Sequence, residues 1–176
     1  MHEVTIPGPE GRIEGRYNRG PGNKPPLVIL IHPHPQHGGN MNNNDILRRV
    51  RYGLKLKDRQ VIDIFKNVEQ DVSRDTLLSW LKKDDEEGFV SLRDIDFSSF
   101  LNGLIIEKRG RREGELPKPE KKLNNNIIFK KLRVALAFRD EDIVDTLNSV
   151  DFKMSKAEVN AFFRNKDHKH FRECKD

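Results

Sequence analysis

The chain has a single cysteine in 176 residues, Cys174. One thiol excludes an internal disulfide framework and fits a reducing compartment. No apolar run approaches the roughly 20 residues that span a bilayer. The opening Met1-His2-Glu3-Val4 has no basic region leading into a long apolar one, so no signal peptide is read there. A soluble, cytoplasmic protein without a membrane partner is the expectation. Aromatic residues are scarce, with one Trp, two Tyr and ten Phe. Trp80, Phe97 and Phe100 fall at core spacings, which makes them packing residues and not a stacking platform for bases. Neither sign of charge dominates: 33 basic residues face 28 acidic ones, for a net +5. Mean hydropathy is −0.78. Such an interleaved surface permits an acidic or nucleic-acid partner without requiring one. Leu, Ile, Val and Phe are still numerous enough to bury a core.

What the chain does have is one helix start written twice. Met41-Asn42-Asn43-Asn44-Asp45-Ile46-Leu47 returns as Leu123-Asn124-Asn125-Asn126-Ile127-Ile128-Phe129. The offset is 124 − 42 = 82, and it holds without a gap to the last residue. Asn is a poor interior helix residue and a good cap, because its side-chain oxygen accepts a free first-turn N–H. Each triplet therefore predicts a helix start, with Asn44 and Asn126 as the expected caps. Further helices are expected from a cap at Asp58 to about Phe65, after a cap at Ser73 with Leu77, Leu78, Trp80 and Leu81 inward, and after Ser91-Leu92-Arg93-Asp94. In the second copy Ser155-Lys156-Ala157-Glu158 spells a capping box. Apolar character persists between the copies where identity does not, as in Val61/Ile143, Phe65/Leu147 and Leu77/Val159. Shared packing tolerates such swaps of similar volume.

Residues 1–40 are different in kind, rich in Pro and Gly with strand-like apolar runs. Val4-Thr5-Ile6 and Arg12-Ile13-Glu14-Gly15-Arg16-Tyr17 read as strands with a turn at Pro7-Gly8. Leu27-Val28-Ile29-Leu30-Ile31 reads as a strand buried on both faces, ending in a Pro- and Gly-rich loop. The fold class is therefore mainly α. Two tandem helical repeats, about four helices and then a truncated three-helix copy, follow a short β-hairpin/strand segment. The expected segments are 1–40 (strands), 41–110 (repeat 1), 111–122 (basic linker) and 123–176 (repeat 2, short of its last helix). In that short copy Val159, Phe162 and Phe163 are expected to lack their natural cover unless the first copy or the N-terminal strands supply one.

Two stretches resemble known families. Residues 8–17, followed by the apolar strand and His32-Pro33-His34-Pro35-Gln36 with Gly38-Gly39, resemble the opening of a bacterial α/β-hydrolase family. The resemblance implies a loop beside an oxyanion hole. The chain has no Gly-x-Ser-x-Gly elbow to supply the nucleophile, so it implies a fragment and not an active hydrolase. From Met41 onward, the Asn-triplet starts and the stretch Phe100-Leu101-Asn102-Gly103-Leu104-Ile105-Ile106-Glu107-Lys108-Arg109-Gly110 resemble the YehS family. That is a bacterial domain family of unknown function, built as a tandem helical duplication. The two resemblances overlap at Met41-Asn42-Asn43, which implies a chimera. The second also implies a chain that continues past Asp176.

Each group of chemistry-bearing residues also has a purely structural reading. His32, His34 and His37 have imidazole spacing suited to a divalent metal, but the prolines between them constrain the loop and no carboxylate or thiol lies near in sequence. His168, His170 and Cys174 form a looser cluster. No metal and no cofactor is expected. Arg48, Arg49 and Arg51, matched by Lys130, Lys131 and Arg133, form a duplicated basic surface that could follow phosphates. Solvated, salt-bridged helix faces are the competing reading of the same residues, since Asp58, Asp63, Asp140, Asp142 and Asp145 are close in sequence. The functional expectation is a non-catalytic helical interaction module, first for protein and second for nucleic acid. A vestigial hydrolase without its nucleophile ranks third.

Overall fold

The computed structural model describes residues 2–8, 11–17, 42–149 and 151–174. The expected buried strand at 27–31 and the loop with His32, His34 and His37 lie outside the described residues. The fold is mainly α, with seven helices among the described residues. The chain divides into two compact units, one of residues 29–138 with 173–176, the other of 1–28 with 139–172.

The larger unit opens with α1, Asn43–Gly53. Its cap is Asn42 and not Asn44: the Asn42 backbone is extended, and its Oδ1 accepts the Asp45 N–H at 2.9 Å. Asp45 returns the contact by accepting the Asn42 N–H at 3.3 Å. The apolar face of α1 buries Ile46, Leu47 and Val50 almost completely. The chain then turns through Lys55, whose φ of 53° is left-handed. Next comes α2, Asp58–Lys66, burying Val61, Ile64 and Phe65. Lys57 takes the cap position there, not Asp58, with Gln60 Oε1 accepting the Lys57 N–H at 2.9 Å. Glu69 (φ 59°) makes a second left-handed turn. Ser73 then caps α3, Arg74–Leu81, by accepting the Thr76 N–H at 3.0 Å.

The centre of this unit is α4, Asp94–Arg109, stopped by Gly110 in a left-handed conformation. Its residues 96–104 are all buried, so the helix is covered on every side. It packs against α1, α2 and α5, the last running Asn125–Leu136. Phe65 joins the aromatic core, its ring 5.7 Å from Trp80 and 5.6 Å from Phe100. Ile128, Leu132 and Ala135 of α5 belong to the same cluster. For α5 too the cap lies two residues earlier than expected: Asn124 Oδ1, not that of Asn126, accepts the Ile127 N–H at 2.9 Å. A cap needs an extended backbone just outside the helix, and in both triplets only the first Asn has one.

In the other unit, strands β1 (His2–Gly8) and β2 (Gly11–Tyr17) pair antiparallel with Ile6 opposite Ile13. Pro7 and Gly8 are the last residues of β1 and not a turn. Helix α6, Asp140–Asn148, follows Arg139 at the cap position and packs against α7, Lys156–Ala161. The Ser155 capping box on α7 is present. Val159 is fully buried, while Phe162 and Phe163 are half-buried.

Candidate functional site

The Asn triplet does more than start a helix. Asn44 is fully buried, and its amide donates to Trp80 O and Val90 O, each at 2.9 Å, while Oδ1 accepts the Leu92 N–H at 2.8 Å. Asn43 donates to Leu92 O (3.0 Å) and to Asp94 Oδ1 (2.8 Å). The segment leading from α3 into α4 is thus latched onto the first turn of α1. Asp94 also accepts the Leu123 N–H at 2.9 Å, joining the start of α4 to the approach to α5. Asn126 is buried as well, and its Oδ1 accepts the Cys174 N–H at 2.9 Å. Sequence reasoning missed these latches. The available signal was the surplus, since a helix start uses one capping Asn and each triplet supplies three.

The six expected phosphate contacts are placed as follows. Arg48 pairs with Asp45 and donates to Lys82 O. Arg51 pairs with Asp58 at 2.6 Å. Lys131 is largely buried and pairs with Glu120 at 2.9 Å, donating also to Asn102. Arg133 donates to Phe138 O at 3.3 Å. Arg49 is half-buried and Lys130 exposed. Most of this charge is engaged within the protein, on neighbouring carboxylates and carbonyls.

Ser98, Asn102, Glu120 and Lys131 form a cluster with the residue types of a catalytic centre. Ser98 Oγ donates to Glu120 and accepts the Glu120 N–H at 2.9 Å. Burial opposes ionisation of Glu120, but the Ser98 hydroxyl and the Lys131 ammonium outweigh it and hold the carboxyl below its ordinary range. Ser98 is fully buried, so its hydroxyl has no approach for a substrate. The cluster ties residues 117–120 to α4 and α5, with Asn102 donating to Pro117 O at 3.3 Å. Residues 111–122, expected as a linker, are therefore anchored at their second half.

Two open clefts lie among the described residues. One, of about 520 Å³, is bounded by Lys57, Asp58, Arg59, Ile62, Asp63, Lys66 and Arg74. Its carboxylates are occupied: Asp58 by Arg51 from outside the cleft, Asp63 by Lys66 at 3.2 Å and by Arg59 at 3.9 Å. Lys57 and Arg74 have no ion pair among the described residues and are exposed. Ile62, half-buried against the core, supplies an apolar wall. The other cleft, about 470 Å³ beside α7, carries Arg164, Lys169, His170 and Arg172 against one carboxylate, Glu158. Ala157, Ala161 and Phe171 give it apolar walls.

Among the described residues, no group of three His, Cys, Asp or Glu side chains could hold a metal ion. The rings of His168 and His170 are 5.7 Å apart, and His168 Nδ1 accepts the His170 backbone N–H at 3.1 Å. No described helix is long and apolar enough to cross a membrane.

The family model described as "Protein of unknown function (DUF1456)" matches residues 43–110 and again 125–176. The chain is similar to the uncharacterized protein YehS of Escherichia coli (strain K12), 45% identical over 137 residues that cover 77% of this chain and 88% of that protein. It is also 49% identical over 43 residues to the uncharacterized protein RP471 of Rickettsia prowazekii (strain Madrid E). That match covers 24% of this chain and 18% of the Rickettsia protein. No solved structure matches the chain. On the length of the family match and the similarity to YehS, the chain belongs to the DUF1456 family of proteins of unknown function.

Proposed function

We propose that the chain is a non-catalytic interaction module, one helical unit written twice in tandem, and that its α2–α3 cleft holds an acidic, partly apolar stretch of a partner protein. The observation carrying the binding reading is that cleft. Lys57 and Arg74 have no ion pair among the described residues and stand beside the apolar wall of Ile62. An extended phosphate backbone would use cations without needing an apolar wall, whereas a peptide uses both. The basic helix starts favour nucleic acid less, because Arg48, Arg51 and Lys131 already have carboxylate partners.

The duplication is supported by backbone details that recur 82 residues apart. Left-handed Lys55 and Glu69 have counterparts in Ala137 and Asp151. The Leu56 N–H to Arg51 O bond has its counterpart from Phe138 to Arg133, and the Gln70 N–H to Phe65 O bond from Phe152 to Leu147. The two family-model matches begin 125 − 43 = 82 residues apart. A separate origin for residues 1–43 rests on their hydrolase resemblance alone. Unchanged thermal stability when residues 1–40 are removed would agree with it.

The binding reading is tested by fluorescence anisotropy with a labelled peptide alternating Asp or Glu with Leu or Val, beside a DNA duplex of similar charge. The expected result is peptide binding that weakens with added salt, as the Debye length shrinks from about 10 Å at 0.1 M to 3 Å at 1 M. Lys57→Glu with Arg74→Glu should abolish it. Tighter binding of the duplex would overturn the reading in favour of nucleic acid.

A further inference from the structure

We propose that the occupant of the α2–α3 cleft is the acidic turn Asp84, Asp85, Glu86 and Glu87 of a second copy of this chain. The inference rests on the reading of that cleft as an acidic-peptide site.

The turn is built for presentation. Lys82 Nζ donates to Glu87 O at 2.6 Å, Glu86 Oε2 accepts the Lys83 N–H at 2.8 Å, and Gly88 turns the chain with a φ of 77°. These local bonds hold the loop in one shape, which lowers the ordering cost of docking. All four acidic residues are exposed. The carboxylates of Asp84, Asp85 and Glu87 have no ion pair among the described residues. Two residues past Gly88 stands the exposed apolar side chain of Val90 (48% exposed), whose N–H donates to Ser79 O and ties the end of the turn to α3.

Each feature of the turn has a counterpart in the cleft. The carboxylates of Asp84, Asp85 and Glu87 meet Lys57 and Arg74, and the apolar flank meets Ile62. The net charge of +5 makes two copies repel at long range. Attraction must therefore come from these local patches, which makes register and salt dependence sharp. Every copy carries both the turn and the cleft. Association then closes as a reciprocal pair or extends with concentration, according to whether the rotation closes.

Sedimentation velocity of the full chain over a wide concentration range is the test. The expected result is a mass above that of one chain at low salt, returning to it at high salt. Asp84→Lys with Asp85→Lys, or Lys57→Glu with Arg74→Glu, should each weaken association by ~10-fold or more. Combining all four reversals should restore it, a gain that misfolding cannot imitate. A single-chain mass at every concentration, or association indifferent to these reversals, would overturn the proposal. If a free acidic peptide still binds the single-chain form, the self-association idea alone falls. If neither peptide nor second copy binds, the reading of the cleft falls with it.

Discussion

Gly103 lies against the backbone of Ile64: a β-carbon added to it would sit 2.0 Å from the Ile64 carbonyl oxygen. Here the backbones of α4 and α2 are in direct contact. Ala in place of Gly in an open helix would gain up to about 1 kcal/mol. Here the obstructing atom is backbone, so the two helices must move apart, and overpacking of this sort costs about 1–3 kcal/mol. Gly103→Ala should therefore destabilise the protein by about 1–2 kcal/mol, read as a lower urea midpoint. An unchanged or raised midpoint would show that the helices separate freely.

Asn42 and Asn44 belong to one triplet and should respond differently to truncation. Asn42→Ala removes a cap, at about 1 kcal/mol. Asn44→Ala strands the Leu92 N–H and the carbonyls of Trp80 and Val90, and a buried unpaired group costs about 1–3 kcal/mol each. A loss of about 3 kcal/mol or more is expected at Asn44, with amide exchange accelerated across residues 80–94. Equal losses at the two positions would refute the latch.

Ala137 sits at the end of α5 with a φ of 56°, a conformation that suits Gly better than Ala. Ala137→Gly should stabilise by about 0.5–1 kcal/mol after allowing for the extra freedom of the unfolded chain. Thermal unfolding decides it, and a lowered melting temperature would contradict the left-handed assignment.

Three carboxyls are held below their ordinary range. Glu158 is held there by the Ser155 backbone N–H and then its hydroxyl, and Glu141 chiefly by Lys156. Glu120 is the third, where Ser98 and Lys131 overcome the opposing effect of burial. A group with a depressed folded pKa contributes stability that is complete above its unfolded value, about 4.3 for Glu, and is lost as pH falls through the folded value. Stability should thus be level from neutral pH down to about 5 and then decline. Lys131→Met should flatten the part of that decline due to Glu120. Urea unfolding at several pH values measures both, and a decline that begins near neutrality would point to other groups.

The starts of α3 and α7 could be read from sequence because capping is local: Ser73 and Ser155 act on N–H groups three residues away. Two Asn triplets with the same apolar sequel likewise marked α1 and α5 to within two residues. Periodicity placed Leu77, Trp80, Phe97 and Phe100 inside, where they are, but also Leu78, which is 38% exposed. Which Asn would cap and which would be buried was decided by chain arriving from 36 to 48 residues away, where Trp80, Val90 and Leu92 need partners. Lys55 and Glu69 gave no sign of their left-handed turns, since neither is Gly or Asn; each turn is closed by a backbone bond back to the preceding helix, Leu56 N–H to Arg51 O and Gln70 N–H to Phe65 O. Gly103 is by residue type a poor helix former, and only the approach of α2 makes it a requirement. Local hydrogen bonding was therefore written in the residue order, while partners for the buried polar groups and for the charges came from folding, because those choices join segments that sequence leaves far apart.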